Sequence, residues 1–283
     1  MQPYSERRER ALAAFSGGVA VIPAARTAYR SGDVTYGFRQ DSSFHYLTGF
    51  DEPNALLVLA PDHGTHRSVL FLRERDRAAE IWDGMRLGVE RACETLGVDA
   101  AFPIGELSER LPEYLVGATH LHYAFERDAA TDRSVRDALE AARAKTRRKG
   151  TTPRTFAEPS LAIDEMRLIK SDAEIATLRR AAAMTRAGHV AGMRATRPGV
   201  FEYEIQALIE SEYRREGSQS PAYESIVASG DNATVLHYIS NRDRLEPGTL
   251  LLVDSGCELD CYATDVTRTW PVDGRFTPEQ RAL

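Results

Sequence analysis

The chain has 283 residues, 42% hydrophobic and 28% charged, long enough for a substantial core in one large domain or two ordinary ones. A formal net charge of −6 excludes a general attraction to nucleic acid or anionic lipid. Three cysteines (Cys93, Cys257, Cys261) cannot all pair, so free thiols in a reducing, cytoplasmic compartment are expected, and no apolar run approaches the ~20 residues of a membrane span.

In chain order, residues 1–15 lack the apolar centre of a secretory leader and read as a helix with a basic, solvated face. Three apolar runs with turn residues around them, 17–24, 55–61 and 68–74, are predicted strands. The spacing over 79–97 predicts one helix ending at Gly97, and 131–146 a second. This alternation implies an α/β layer domain. Residues 145–164 are rich in basic residues, Thr and Pro, and read as a linker, with the RRKG cluster at 147–150 as solvated charge. A long helix over 171–196 opens with Ser171 and Glu174 at capping-box spacing, and Ile175, Leu178 and Ala182 mark its apolar face. A further helix spans 202–217. Four strand-like pieces follow: ESIVASG, TVLHYIS, TLLLVDSG and YATDVTRTWPV. The second half is thus α+β with a largely antiparallel sheet. The segment TPEQRAL, with Thr277 at the N-cap, starts another helix within a turn or two of the last residue, so the chain is expected to end mid-domain.

Two acidic residues stand out. Asp254 closes one β-rich run and Asp265 lies inside another, where strands disfavour Asp. A hairpin centred between Leu259 and Asp260 would set the two directly opposite, on one face, with Cβ atoms ~4.5–5.5 Å apart. Like charges so close need compensation, by a shared proton or a divalent cation. The plainer readings are a turn cap at Asp254 and an ion pair of Asp265 with Arg268. His237, in TVLHYIS, is the nearest imidazole to help; a satisfied core histidine is its alternative. A hydrolytic two-metal site wants about five ligands with the ions ~3.5–4 Å apart, and no further His/Glu cluster follows in the chain.

The segment LLVDSGCELDCYATDVTRTWPVDGRFTPEQ resembles the first metal-ligand hairpin of X-prolyl aminopeptidase (aminopeptidase P), in the creatinase/methionine-aminopeptidase pita-bread superfamily. DEMRLIKSDAEIATLRRAAAMT is similar to that family's domain-entry helix and AYESIVASGDNATVLHY to its substrate-pocket segment. FRQDSSFHYLTGFDEPNALLVL and AEIWDGMRLG resemble the N-terminal domain of its bacterial members. The resemblance implies an α/β creatinase-like N-terminal domain over 1–163 and an incomplete α+β pita-bread catalytic domain over 164–283. It implies a metallo-aminopeptidase that hydrolyses the bond between an N-terminal residue and a following proline, through a dinuclear metal centre and a bridging hydroxide. Asp254 and Asp265 then match metal ligands, the latter bridging. His237 matches a pocket histidine acting on the scissile amide, and Tyr223 a pocket-lining residue. Asp33 and Trp82 match positions that approach a neighbouring subunit's active site in tetrameric relatives. The implied cofactors are two divalent ions, Mn2+ first, with Zn2+ or Co2+ as alternatives. The implied partners are a peptide with proline second, copies of the chain in a dimer or tetramer, and a complementing C-terminal fragment that supplies the family's remaining His and two Glu ligands. Without them the chain alone is expected to be inactive. The competing readings are a proline dipeptidase or other pita-bread hydrolase, and a non-catalytic truncated homologue acting as a binding subunit.

Overall fold

The computed structural model describes residues 3–147 and 150–282; Arg148 and Lys149 of the RRKG cluster lie outside the described residues. The chain forms two compact units, Met1–Ile169 and Lys170–Leu283.

The first unit begins with α1 (Pro3–Ala14), β1 (Gly18–Pro23), the hairpin β2 (Tyr29–Ser31) and β3 (Val34–Thr35), and α2 (Ser42–Thr48). It continues with β4 (Leu56–Leu59), β5 (Ser68–Leu72), α3 (Arg77–Asp83), α4 (Val89–Leu96), β6 (Ala100–Pro103) and α5 (Leu107–Leu115). β7 (His120–His122), α6 (Ala129–Thr146), β8 (Thr155–Ala157) and α7 (Ser160–Leu168) complete it. Six strands form one sheet in the order β6-β5-β4-β1-β7-β8, with β4 antiparallel to both neighbours and the other pairings parallel. The three apolar runs are three of its four inner strands. They are continuous runs because both faces are covered: Ala20 and Ile22 join the core with Leu57, Leu70, Phe15 and Phe44, whereas Val19 and Val21 join Val58, Phe71, Leu111 and Val135.

Four expectations for this unit are corrected. The face of α1 is not simply solvated: Arg8 is 2% exposed and donates to the carbonyls of Leu47, Leu96 and Gly97 at 2.9, 2.7 and 2.6 Å. Its guanidinium thereby satisfies the free C-terminal carbonyls of α2 and α4. The helix over 79–97 is two helices, because Gly84 and Gly88 adopt φ of 90° and 73°. The segment read as a linker contributes the edge strand β8 and helix α7, three residues being too few to show a period. Ile163 and Met166 of α7 are buried in the first unit's core, so the units divide at Ile169 rather than at 163.

The second unit comprises α8 (Asp172–Ala195), α9 (Glu202–Arg215), β9 (Ser220–Pro221), β10 (Ile226–Ser229), β11 (Leu250–Asp254), β12 (Cys257–Leu259), β13 (Tyr262–Ala263), β14 (Thr267–Pro271) and α10 (Pro278–Ala282). The capping boxes at Ser171/Glu174 and Thr277/Gln280 form as the sequence predicts. The buried face of α8 does not. Ile175 and Leu178 are only half-buried and Ala182 is exposed; the buried side is Glu174, Ala181, Met184, Thr185, Gly188, His189 and Gly192. Glycines occupy the positions where α9 packs closest: a Cβ at Gly188 would sit 2.6 Å from the Tyr213 ring. Two three-stranded antiparallel sheets, β10-β11-β14 and β13-β12-β9, follow the helices. Val227, Leu251, Val253 and Trp270 pack with Ile205, Ile209 and Tyr213 of α9 in one core. TVLHYIS is not a strand: after a 3-10 turn at Gly230–Thr234 it runs as an irregular loop.

Candidate metal centre

The hairpin that carries the two aspartates turns at Asp260 and Cys261, with φ of 50° and 63°, the geometry of a two-residue type I′ turn. Its centre lies one residue later than expected. Asp254 therefore faces Thr267, not Asp265. Asp265 lies in neither strand, in the break between β13 and β14. The ladder continues on both sides of that break, with Ser255 N–H donating to the Val266 carbonyl at 3.2 Å and Thr264 N–H to the Cys257 carbonyl at 3.0 Å. Gly256 makes this crossing feasible: a Cβ there would lie 1.8 Å from the Thr264 carbonyl oxygen. Because the centre moved by one whole residue, every partner moved by two, and two steps along a strand keep the same face. The two carboxylates still converge. The Tyr223 hydroxyl donates to Asp254 Oδ1 at 2.5 Å and lies 3.1 Å from Asp265 Oδ1. Burial first, and then the hydrogen bond to Asp254, raise the Tyr223 phenol well above its ordinary value, so it stays a donor. Arg268, the ion-pair partner considered for Asp265, donates instead to the Thr267 carbonyl.

The residue next to each aspartate is held from behind by the helices. Ser255, fully buried, bonds the Tyr213 hydroxyl at 3.0 Å and the Ser225 hydroxyl at 2.9 Å through Oγ. Its carbonyl lies 3.0 Å from His189 Nε2, which must therefore carry the proton, leaving buried Nδ1 as an acceptor with no partner among the described residues. Thr264, before Asp265, bonds the Thr185 hydroxyl at 2.6 Å, and both threonine hydroxyls accept from Cys257 N–H. Burial pushes the Tyr213 phenol up to about 12. The folded chain thus keeps that proton to higher pH than the unfolded one. Stability from this group is complete below about pH 10 and is lost as pH rises to about 12. Tyr213→Phe is expected to make that alkaline limb shallower by up to ~2 kcal/mol; urea melts at pH 9 and pH 11.5 check it, and an unchanged limb contradicts it.

His237 is exposed on its loop, with no bond to either aspartate. The loop is anchored by a residue that no sequence pattern marks. Glu202, 0% exposed at the start of α9, accepts from Ser229 N–H and Oγ at 2.8 Å each, Asn232 Nδ2 at 3.2 Å, the Tyr238 hydroxyl at 2.7 Å and Asp243 N–H at 3.0 Å. An acidic residue in a first helical turn is ordinary in sequence, since it suits the helix dipole; only the fold reveals that it clamps the segment on both sides of His237. Asp33, in the β2–β3 turn, and Trp82 on α3, 87% exposed, belong to the first unit.

Among the described residues no group of three or more His, Cys, Asp and Glu side chains is placed to hold a metal ion. Asp254 and Asp265 offer two hard-oxygen ligands, a donor set suited to a divalent cation but short of a complete sphere. Sequence comparison places this hairpin in a known context. Residues 4–123 match the family profile "Aminopeptidase P, N-terminal domain", and residues 176–283 that of "Metallopeptidase family M24". The chain thus consists of an α/β domain of the aminopeptidase P N-terminal type followed by part of an α+β pita-bread domain that matches the M24 metallopeptidase family. The chain is 43% identical to the Xaa-Pro aminopeptidase of Escherichia coli over 284 residues, covering 100% of this chain and 64% of that protein. Against the Xaa-Pro aminopeptidase of Haemophilus influenzae it is 41% identical, over 100% of this chain and 63% of that one. The solved Pseudomonas aeruginosa aminopeptidase PepP superposes with a TM-score of 0.94 at 42% identity, over 99% of this chain and 63% of that chain. The chain belongs to the aminopeptidase P family and spans 63–64% of the length of these two bacterial relatives. No helix among the described residues is long and apolar enough to cross a membrane.

Proposed function

We propose that this chain carries the first part of the active site of an Xaa-Pro aminopeptidase, which cleaves an N-terminal residue from a following proline. The observation that supports this most is the reach of one phenol, Tyr223, to both Asp254 and Asp265. A relative supports it too: Escherichia coli aminopeptidase P has been solved with alanine in place of each of two aspartates that stand eleven positions apart, the separation of 254 and 265. The same relative has been solved zinc-substituted with a product bound. In this reading Asp254 and Asp265 hold a pair of divalent ions, manganese first. When bound, the ions supply Lewis acidity and an activated water. The chain's own residues do the rest. Tyr223 orients the two carboxylates, and the clamp on Glu202 presents His237 to the scissile amide. Asp33 and Trp82 serve a neighbouring subunit in a dimer or tetramer. The 283-residue chain alone falls short of about five ligands and has no turnover.

The test is release of the first residue from a tripeptide with proline second. With Mn2+ the native protein is expected to release it, and Asp254→Asn or Asp265→Asn to lower kcat/KM by more than about 100-fold, the upper end of what outer-shell partners cost. The isolated chain is expected to release none. Equal cleavage of a proline-free peptide by the native protein would overturn the specificity, and Mn2+-dependent turnover by the isolated chain would overturn its inactivity.

A further inference from the structure

The first unit has a crevice that the proposed peptidase site does not use. In its sheet the chain order reverses at β1: β4, β5 and β6 build out on one side, β7 and β8 on the other. β1, β7 and β8 are parallel neighbours, so their carboxyl ends lie at one edge. Open α/β sheets bind ligands outside the carboxyl ends of their parallel strands. Here a cavity of about 490 Å³ occupies that place, walled by the segments that follow β1, β7 and β8 and by the start of α2. The volume falls within the ~300–1,000 Å³ range of small-molecule sites. Apolar surface comes from Ile22, Tyr123 and Ile163, all buried.

The charges decide the class of ligand. Most of those lining the cavity are spent within the protein. Arg26 is paired with Asp128 at 2.5 Å, Asp164 with Arg167 at 3.8 Å, and Arg39 donates to the Gln40 carbonyl and Ser42 Oγ at 2.7 and 2.8 Å. Asp41 caps α2, accepting from Ser43 and Phe44 N–H at 2.9 Å each. Two side chains remain uncommitted. Arg127, after β7, and Glu158, after β8, are exposed and have no hydrogen bond or ion pair among the described residues. One cation and one anion on adjacent walls, with apolar side chains also lining the space, suit a small molecule bearing both charges and an apolar group. We propose that this crevice binds a zwitterion of the amino-acid or dipeptide class, with its carboxylate on Arg127, its ammonium on Glu158 and its side chain against Tyr123 and Ile163.

The proposal does not rest on the peptidase reading, and its probes contain no proline. The dipeptide Ala-Leu, its N-acetyl derivative and its C-terminal amide are titrated into the full chain by calorimetry. Ala-Leu is expected to bind saturably, and each capped derivative about tenfold more weakly, about 1.4 kcal/mol. Arg127→Ala is expected to weaken Ala-Leu by about tenfold and leave the amide unchanged. Glu158→Gln is expected to weaken Ala-Leu similarly and leave the N-acetyl derivative unchanged. Both positions are exposed, so the variants should fold, and an unchanged thermal midpoint shows that they do. Absence of saturable Ala-Leu binding, equal affinity for all three probes, or binding indifferent to both substitutions overturns the proposal.

Discussion

Gly256→Ala is expected to destabilise the second unit by at least ~4 kcal/mol, because the overpacking falls on backbone. The added methyl would lie 1.8 Å from the Thr264 carbonyl oxygen, 2.4 Å from its carbon and 3.0 Å from Asp265 N. All three are backbone atoms, so no side-chain rotation relieves the clash. Glycine is needed here for space and not for conformation, since Gly256 is not among the residues with positive φ. The strands must part at the crossing that sets Asp254 beside Asp265. The same substitution should therefore free Tyr223 from its double contact. Urea denaturation followed by the fluorescence of Trp270, buried in the second unit's core, measures the loss. A midpoint shift worth less than ~1 kcal/mol would mean that the chains do not approach this closely.

The second large effect is at Glu202. Replacement by alanine leaves five donors without their acceptor inside the protein. Breaking a buried, fully bonded charge in this way costs about 3–5 kcal/mol. Glu202→Gln keeps the size but offers one acceptor oxygen for two, and should cost roughly half as much. The losses should be local first. Hydrogen exchange at 229–243 is expected to rise in both variants, more in the alanine one, while the β11–β14 amides stay protected until global unfolding. Uniform exchange across the unit would show that Glu202 supports the core rather than the His237 loop.

What the sequence shows clearly is whatever is local. The runs at β1, β4 and β5 identify inner strands because apolar residues are continuous there, and Ser171 with Glu174 marks the start of α8 because a capping box needs only four residues. The aspartate pair is visible as acid in β-rich surroundings. What is not legible depends on partners distant in the chain. Arg8 looks like solvated charge, and its three carbonyl partners lie 39 to 89 residues away. TVLHYIS has a strand's composition, but Glu202 and the Gly230 turn hold it as a loop. The face of α8 follows from glycines that admit Tyr213 and Ile209, a signal that counting large apolar residues misses. The observed turn lies one position beyond the expected one, since nothing in Asp260–Cys261 announces left-handed backbone the way Asn-Gly does. The shared face of the two aspartates survives because the shift is a whole pair.

The proposed function requires the carboxylates at 254 and 265 to meet at one point where a cation can sit. Mn2+ is paramagnetic and broadens nearby amide signals even when it binds weakly. Titrated into the labelled chain, it should selectively broaden residues 254–256, 264–266 and Tyr223, and Asp254→Asn or Asp265→Asn should each abolish that pattern. Broadening spread over other carboxylates, or unchanged at this hairpin after either substitution, would contradict the claim.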